Sequence, residues 1–275
     1  MIKWLIPLFI FFGCSNVDIN KYKKDNEYSL LKGINLYSQG KNREALIEYE
    51  KALEKDPKNI LILREIAIIK SQLLEYKESK NIFLEILKKE PRDIEALRNL
   101  SYLFFDEKNY KKSIFYLEKV PKDLKTQKDY AILAFSYYKI GESKRALLTY
   151  KKIKESIIFN SIILTKSYIK VLSENGNKEN LFLILKSLEK YKPEDVNNVI
   201  LISNTYENEL QNYKYAEKVL KDFLSSNKIN DKILLQLAKL YYKIGKKKEC
   251  RIVFSMISED YQYNLEYIKV KTYMY

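Results

Sequence analysis

Glycine is scarce in this 275-residue chain, and its placement is regular. Four of the six copies, Gly40, Gly141, Gly176 and Gly245, fall between two stretches of helical patterning. Gly33 lies seven residues before Gly40, and Gly13 immediately precedes Cys14. Three of the five prolines keep the same beat: Pro57, Pro91 and Pro193 each close a unit, and the first two stand 34 residues apart. Punctuation of this kind means one helix–turn–helix module copied along the chain. Such an array presents a binding surface rather than a catalytic pocket.

Within each unit, apolar residues spaced three and four apart place a stripe on each helix that one hairpin cannot bury alone. Small residues recur where the two helices would meet: Gly33 and Ala45, Ala67 and Ser79, Ser101 and Ser113, Ala134 and Ala146, Ala238 and Cys250. Large ones interlock around them, among them Tyr49, Phe83, Leu117, Tyr150 and Phe254. The fourth unit is the most regular, with Tyr130, Leu133, Ala134, Tyr137, Gly141, Ala146, Tyr150 and Ile153. The fifth departs from the pattern, holding Ile169 and Leu181 at the small positions. The sixth needs one inserted residue before Ala216, and in the third Pro121 comes early.

Seven such units, from Asn26 to about Gln262, resemble the tetratricopeptide repeat (TPR) family. The resemblance implies an all-α fold: an α-solenoid, or superhelix, of about seven helical hairpins. The segment 263–275 is read as a C-terminal capping helix, because an array's open end needs a cover. Ile268-Lys269-Val270-Lys271 alternates as a strand would, so a strand stays open there.

At the other end, Lys3 precedes an unbroken apolar run, Trp4 to Phe12, followed by Gly13 and Cys14. That run is too short to span a bilayer and carries Pro7, but it suits a signal-peptide core. Ile10-Phe11-Phe12-Gly13-Cys14 resembles a bacterial lipobox, which implies cleavage after Gly13 and lipid attachment to Cys14. The expected organisation is a signal peptide over 1–13, a lipidated tether over 14–25, the array over 26–262 and the cap over 263–275. Fully extended, the tether reaches roughly 35–40 Å.

The formal net charge is +14, with lysine outnumbering arginine 44 to 6. A solvated basic surface from an AT-rich coding sequence is one reading. A functional basic face toward anionic lipid, an acidic protein or nucleic acid is the other. No arginine cluster with interleaved aromatics marks a nucleic-acid module, and no nucleic-acid partner is expected.

Catalytic chemistry lacks its usual parts. There is no histidine, the two cysteines lack metal-ligand spacing, and no glycine-rich phosphate loop is present. The chain is therefore read as non-enzymatic, with no cofactor or metal.

The TPR resemblance implies a concave groove built from the first helices. Mapped residue by residue, its side chains are Leu30, Ile34 and Tyr37, then Arg64 and Ile68, then Arg98, Tyr102 and Phe105. Phe135, Tyr138 and Lys139 follow in the fourth unit, and Lys239, Tyr242 and Lys243 in the seventh. Aromatic bodies beside cationic tips suit a peptide with acidic and apolar residues. Core-covering tyrosine is the plainer alternative in a chain with 24 of them. The Lys/Asn pattern with which chaperone-binding members clamp a C-terminal carboxylate is missing from the first unit, where Leu30 and Ile34 stand. The expected function is a lipid-anchored scaffold on the extracytoplasmic side of a bacterial membrane, binding other envelope proteins or peptides. A cell-wall glycan-binding module and an intracellular regulator are the alternatives.

Overall fold

The computed structural model describes residues 25–191, 193–226 and 229–274, so the expected signal peptide and Cys14 lie outside the described residues. Those residues form α-helices and short 3-10 turns, with no strand among them. They fall into two compact units, the first ending at Lys152 and the second beginning at Ile153.

The first unit holds four antiparallel hairpins: α1 (Asp25–Ser38) with α2 (Asn42–Lys55), α3 (Ile60–Gln72) with α4 (Tyr76–Lys89), α5 (Ile94–Asp106) with α6 (Tyr110–Lys119), and α7 (Gln127–Lys139) with α8 (Ser143–Tyr150). The second unit opens on a short helix, α9 (Glu155–Phe159). Three hairpins follow: α10 (Ile162–Glu174) with α11 (Lys178–Tyr191), α12 (Val196–Asn208) with α13 (Tyr213–Ser226), and α14 (Asp231–Lys243) with α15 (Lys247–Ser255). A 3-10 turn over Glu259–Tyr263 leads to α16 (Leu265–Met274). Each second helix also packs on the first helix of the next hairpin, giving a continuous core within each unit.

Each hairpin turn is built the same way. One residue takes the left-handed conformation: Gly40, Leu74, Lys108, Gly141, Gly176, Gln211 or Gly245, with φ between 52° and 80°. The chain reverses there, and an amide two residues into the turn returns to the last turn of the first helix, as Lys41 N does to Leu36 O at 3.0 Å and Glu142 N to Tyr137 O at 2.9 Å. In the sixth hairpin the bond runs one residue further, from Asn212 N to Tyr206 O at 2.7 Å. That places the inserted residue in the turn. The hairpin's small residues, Ser203 and Ala216, still meet, with the Ser203 hydroxyl donating to Ala216 O at 3.3 Å.

First helices after the first begin on a side chain that accepts from their free amides: Asn59, Asp93, Thr126, Ser161, Asp195 and Asn230. Their near-even spacing is a second periodic signal alongside the glycines.

Where the helices of a hairpin cross, the small residues let backbones approach closely. Ser79 Oγ donates to Ala67 O at 2.7 Å, Ser101 Oγ to Ser113 O at 2.9 Å, and the buried Cys250 Sγ to Ala238 O at 3.2 Å. A side chain at Gly33 would press on the Tyr49 ring at 3.3 Å. The fifth hairpin is the exception. Ile169 and Leu181 are both buried at this level, and α10 and α11 pack less closely than the helices of the other hairpins.

Two features depart from the sequence reading. The second helix of the fourth hairpin stops at Tyr150, so Ile153 lies in a following bend rather than in that helix. The helix α9 then fills a stretch that was assigned to the repeats, burying Ile158 and Phe159. At the C-terminus Ile268–Lys271 is helical: α16 lays Tyr267 and Val270 on the last hairpin, with Tyr267 stacked on Phe254 at 4.5 Å between ring centroids.

Candidate functional site

Within each unit, neighbouring first helices approach one another (α3 and α5, α5 and α7, α10 and α12, α12 and α14), whereas second helices are held farther apart. The first-helix side is therefore the inner side of each unit, and it carries the residues mapped to the groove.

In the first unit, the arginines of that face are already engaged. Arg64 donates to Asp93, the N-cap of the next first helix. Arg98 Nε donates to both oxygens of Asp129 at 3.1 and 3.3 Å, while its other nitrogens reach Glu95 at 2.5 Å and Leu124 O at 2.9 Å. The Tyr102 hydroxyl donates to Asp129 Oδ1 at 2.5 Å. Burial first, then the Asp129 charge, pushes the Tyr102 phenol far above its ordinary range. Asp129 itself is fully buried and completes a capping box with Thr126 at the start of α7. One carboxylate thus receives a guanidinium, a phenol and a helix-start amide.

Beside this network lies an aromatic cluster. Phe105 meets Tyr110 and Phe135 edge-on, both at 5.7 Å, and Phe135 meets Tyr138 at 5.9 Å. Phe105 and Phe135 are buried, so Tyr138, half-buried, and the exposed Lys139 present the cluster to solvent. Lys139 Nζ sits 5.1 Å from the Phe135 ring centre and 5.3 Å from that of Tyr138. Lys128 lies 4.1 Å over the Tyr102 ring, and burial lowers its ammonium below the usual lysine range. Tyr37 is half-buried, accepting from Gln72 Nε2 at 2.6 Å, with Leu30 packed nearby and Ile34 exposed. Ile68 packs on the core between the second and third hairpins.

In the second unit the same face forms a cleft of about 960 Å³. Its floor is Ile200, Asn204 and Gln236, and one wall is the Tyr261–Glu266 segment leading into α16. Lys239 lies in it, paired with Glu266 at 3.0 Å, an ion pair that pins the start of α16 to α14. Gln236 Nε2 donates to Asn204 Oδ1 at 2.6 Å. Among the described residues, Asn204 Nδ2 and Gln236 Oε1 make no further hydrogen bond, which leaves the pair a spare donor and a spare acceptor. Tyr263 and Leu265 at the mouth are largely exposed. Tyr242 is exposed, and Lys243 is held by Glu207 at 2.7 Å and Asn208 at 3.1 Å.

The sequence reading omitted the residues that organise this face. Asp129 was legible as Thr126-x-x-Asp129, the spacing of a capping box. Asn204 and Gln236 carry no sequence signal, because only the approach of α12 to α14 brings them together.

No family model matches the sequence, and no curated protein matches it. Solved structures do resemble the fold. A tetratricopeptide repeat protein from Parabacteroides merdae aligns at a TM-score of 0.56 and 16% identity, covering 91% of this chain and 98% of its own. YrrB, described as a TPR protein with an unusual peptide-binding site, aligns at 0.56 and 14% identity over 68% of this chain and 95% of its own. MamA aligns at 0.51 and 17% identity, covering 62% and 93% respectively. At these identities the likeness speaks for architecture, and it agrees with the repeated turns, caps and small-residue crossings: the chain has the fold of the tetratricopeptide repeat proteins.

Proposed function

We propose that this protein is a non-enzymatic scaffold that binds extended peptide segments of other proteins on its first-helix faces. We propose further that a lipid on Cys14 holds it at the extracytoplasmic side of a bacterial membrane, where its partners are envelope proteins. The observation that carries the binding reading is the Asn204–Gln236 pair. The pair lines the cleft and keeps a spare amide donor and a spare amide acceptor, groups that can pair with the carbonyl and amide of an extended peptide. Exposed Tyr263 and Leu265 at the rim supply apolar contact for an alternate side chain. The peptide-binding site in the description of YrrB supports the same use of the fold. The anchor rests on the Gly13-Cys14 pair at the end of the apolar run.

Two measurements test this. Photo-crosslinkers placed at Tyr263 in the full-length protein capture envelope proteins, and the Gln236→Leu variant reduces that capture about tenfold by leaving a peptide group unpaired. Equal capture by both forms removes the cleft from the proposal. Capture of glycan strands in place of protein overturns the partner class. Cys14→Ala moves the protein from membrane to soluble fractions; unchanged partitioning, or an intact Met1 in the mature chain, refutes the anchor.

A further inference from the structure

The second helices carry a feature that neither the hairpin core nor the first-helix face uses. Two residues after each buried small residue, the helix has turned through about 200°, so that position faces away from the core. In the first unit it holds Ile47, Asn81, Phe115 and Leu148, following Ala45, Ser79, Ser113 and Ala146. The three apolar members are 53%, 53% and 64% exposed, large side chains outside the buried core. A random surface does not put bulky apolar residues at one register on three of four helices.

Each is flanked by exposed cations one turn before and after: Arg43 and Lys51 around Ile47, where Glu44 and Glu50 also stand, Lys111 and Lys119 around Phe115, with Glu118 beside them, and Lys144 and Lys151 around Leu148. Lys119 Nζ lies 4.0 Å over the Phe115 ring, and no ion pair holds it among the described residues. Among the described residues Lys51 is the one member of the set held in an ion pair, with Glu48 at 3.0 Å. The helices α4, α6 and α8 each carry two more cationic than anionic side chains, whereas α2 carries one more anionic than cationic; α3, α5 and α7, on the other side, carry no excess above one. At Asn81, where the apolar residue is missing, the surface dips into a cleft of about 760 Å³ bounded by Leu84, Pro91, Phe115 and Tyr116.

We infer that the second-helix face of the first unit, centred on Phe115, is a docking surface for an anionic lipid bilayer. The basic surplus of α4, α6 and α8 around these exposed apolar side chains matches an anionic surface. A bilayer interface accepts them one at a time while the flanking lysines reach the anionic headgroups. In the second unit the register holds Leu183, Lys218 and Ile252, and Leu183 has Glu179 one turn earlier, as Ile47 has Glu44. Laid on a membrane by this face, the first unit would turn its first-helix face outward to partners. The inference does not depend on acylation of Cys14, and its test uses chain that lacks it.

The full-length chain with Trp4→Phe and Cys14→Ser receives one tryptophan, by Phe115→Trp or by Tyr138→Trp. Each is mixed with vesicles of brominated phosphatidylglycerol and phosphatidylcholine, or of brominated phosphatidylcholine alone. The expected result is a blue shift and quenching of the Phe115→Trp emission on the anionic vesicles only, with Tyr138→Trp unquenched. Adding Lys111→Gln and Lys119→Gln weakens binding at least tenfold, since each cation near an anionic surface contributes roughly fivefold. Absence of quenching at position 115, equal quenching at 138, or equal quenching on neutral vesicles each overturns it. The vesicle experiment reads the face and the Cys14→Ala fractionation reads the anchor, so either can fail without the other.

Discussion

Arg98 on α5 and Asp129 on α7 are joined through the guanidinium Nε to both carboxylate oxygens, at 3.1 and 3.3 Å. Asp129 is fully buried and also receives the Tyr102 hydroxyl and the Thr126 amide. The pair ties one first helix to the next and fixes the spacing of that face. Removing one partner of a buried pair leaves the other charge uncompensated, which costs about 3–5 kcal/mol. Asp129→Ala is therefore expected to destabilise the first unit by about 3 kcal/mol in urea unfolding. Tyr102→Phe loses only a hydrogen bond to a charged group, about 1.5–3 kcal/mol. Asp129→Ala no worse than a surface substitution would show the network to be energetically idle.

The second unit has a comparable hub in Glu217, which accepts from Lys221 at 2.5 Å, Lys246 at 2.8 Å and the Tyr241 hydroxyl at 3.0 Å. Burial alone would raise this carboxyl, but the three hydrogen bonds outweigh it and hold its pKa at about 2. A folded-state value below the unfolded value of about 4.3 adds stability that is complete above the unfolded value. It is lost as pH falls through the folded one. Between about pH 5 and pH 2 the second unit should thus lose on the order of 2 kcal/mol that Glu217→Gln does not lose. Parallel urea titrations of the two proteins across that window measure it; identical pH profiles would remove Glu217 from the account.

Much of the architecture was legible because repetition exposes it: four turn glycines, the paired small residues, and the one-residue insertion before Ala216. What stayed hidden has physical causes. Leu74, Lys108 and Gln211 take the left-handed turn conformation without being glycine, so composition could not mark three of the seven turns. The helix α9 follows a lysine-rich stretch with no breaker to announce that α8 ends at Tyr150. On the first-helix face, the periodicity that brings Phe105 and Phe135 toward the surface also suits a core residue. Which applies depends on how closely the neighbouring first helix approaches, a tertiary distance with no local sequence signature. The cation-flanked register of Ile47, Phe115 and Leu148 lies in plain sequence, but it stands out only once the opposite side of those helices is known to be core.

Leu74 stands at φ 68° with its side chain 65% exposed, so it endures the backbone conformation and contributes little packing. The left-handed region costs a residue with a Cβ about 1–2 kcal/mol. Glycine relieves that cost but gives back part of it through a freer unfolded chain. Leu74→Gly should stabilise the protein by about 0.5–1 kcal/mol, raising Tm by about 2–3 °C in calorimetry. The converse, Gly141→Ala, meets no atom within 4 Å of the new Cβ, so its penalty is backbone strain alone, about 1 kcal/mol. A neutral or destabilising Leu74→Gly would mean that the Leu74 side chain packs more than its exposure suggests.

The fifth hairpin makes the sharpest distinction between repeat pattern and actual packing. Small residues at positions 169 and 181 would bring it into line with its neighbours, and a consensus argument would call the change stabilising. The structure argues otherwise. Ile169 and Leu181 are 5% and 1% exposed, and α10 and α11 are spaced to hold them. Truncation would leave a void that the helices could close only by breaking their contacts with α9 and α12. Ile169→Ala and Leu181→Ala are each expected to cost about 2–5 kcal/mol in urea unfolding. At the matching position of a close crossing the sign of the volume change reverses: Ala134→Ile overfills a fully buried site and costs about 1–3 kcal/mol. If Ile169→Ala instead stabilises the protein, the separation of α10 from α11 is a consequence of the bulky side chains and not a requirement of the helices around them.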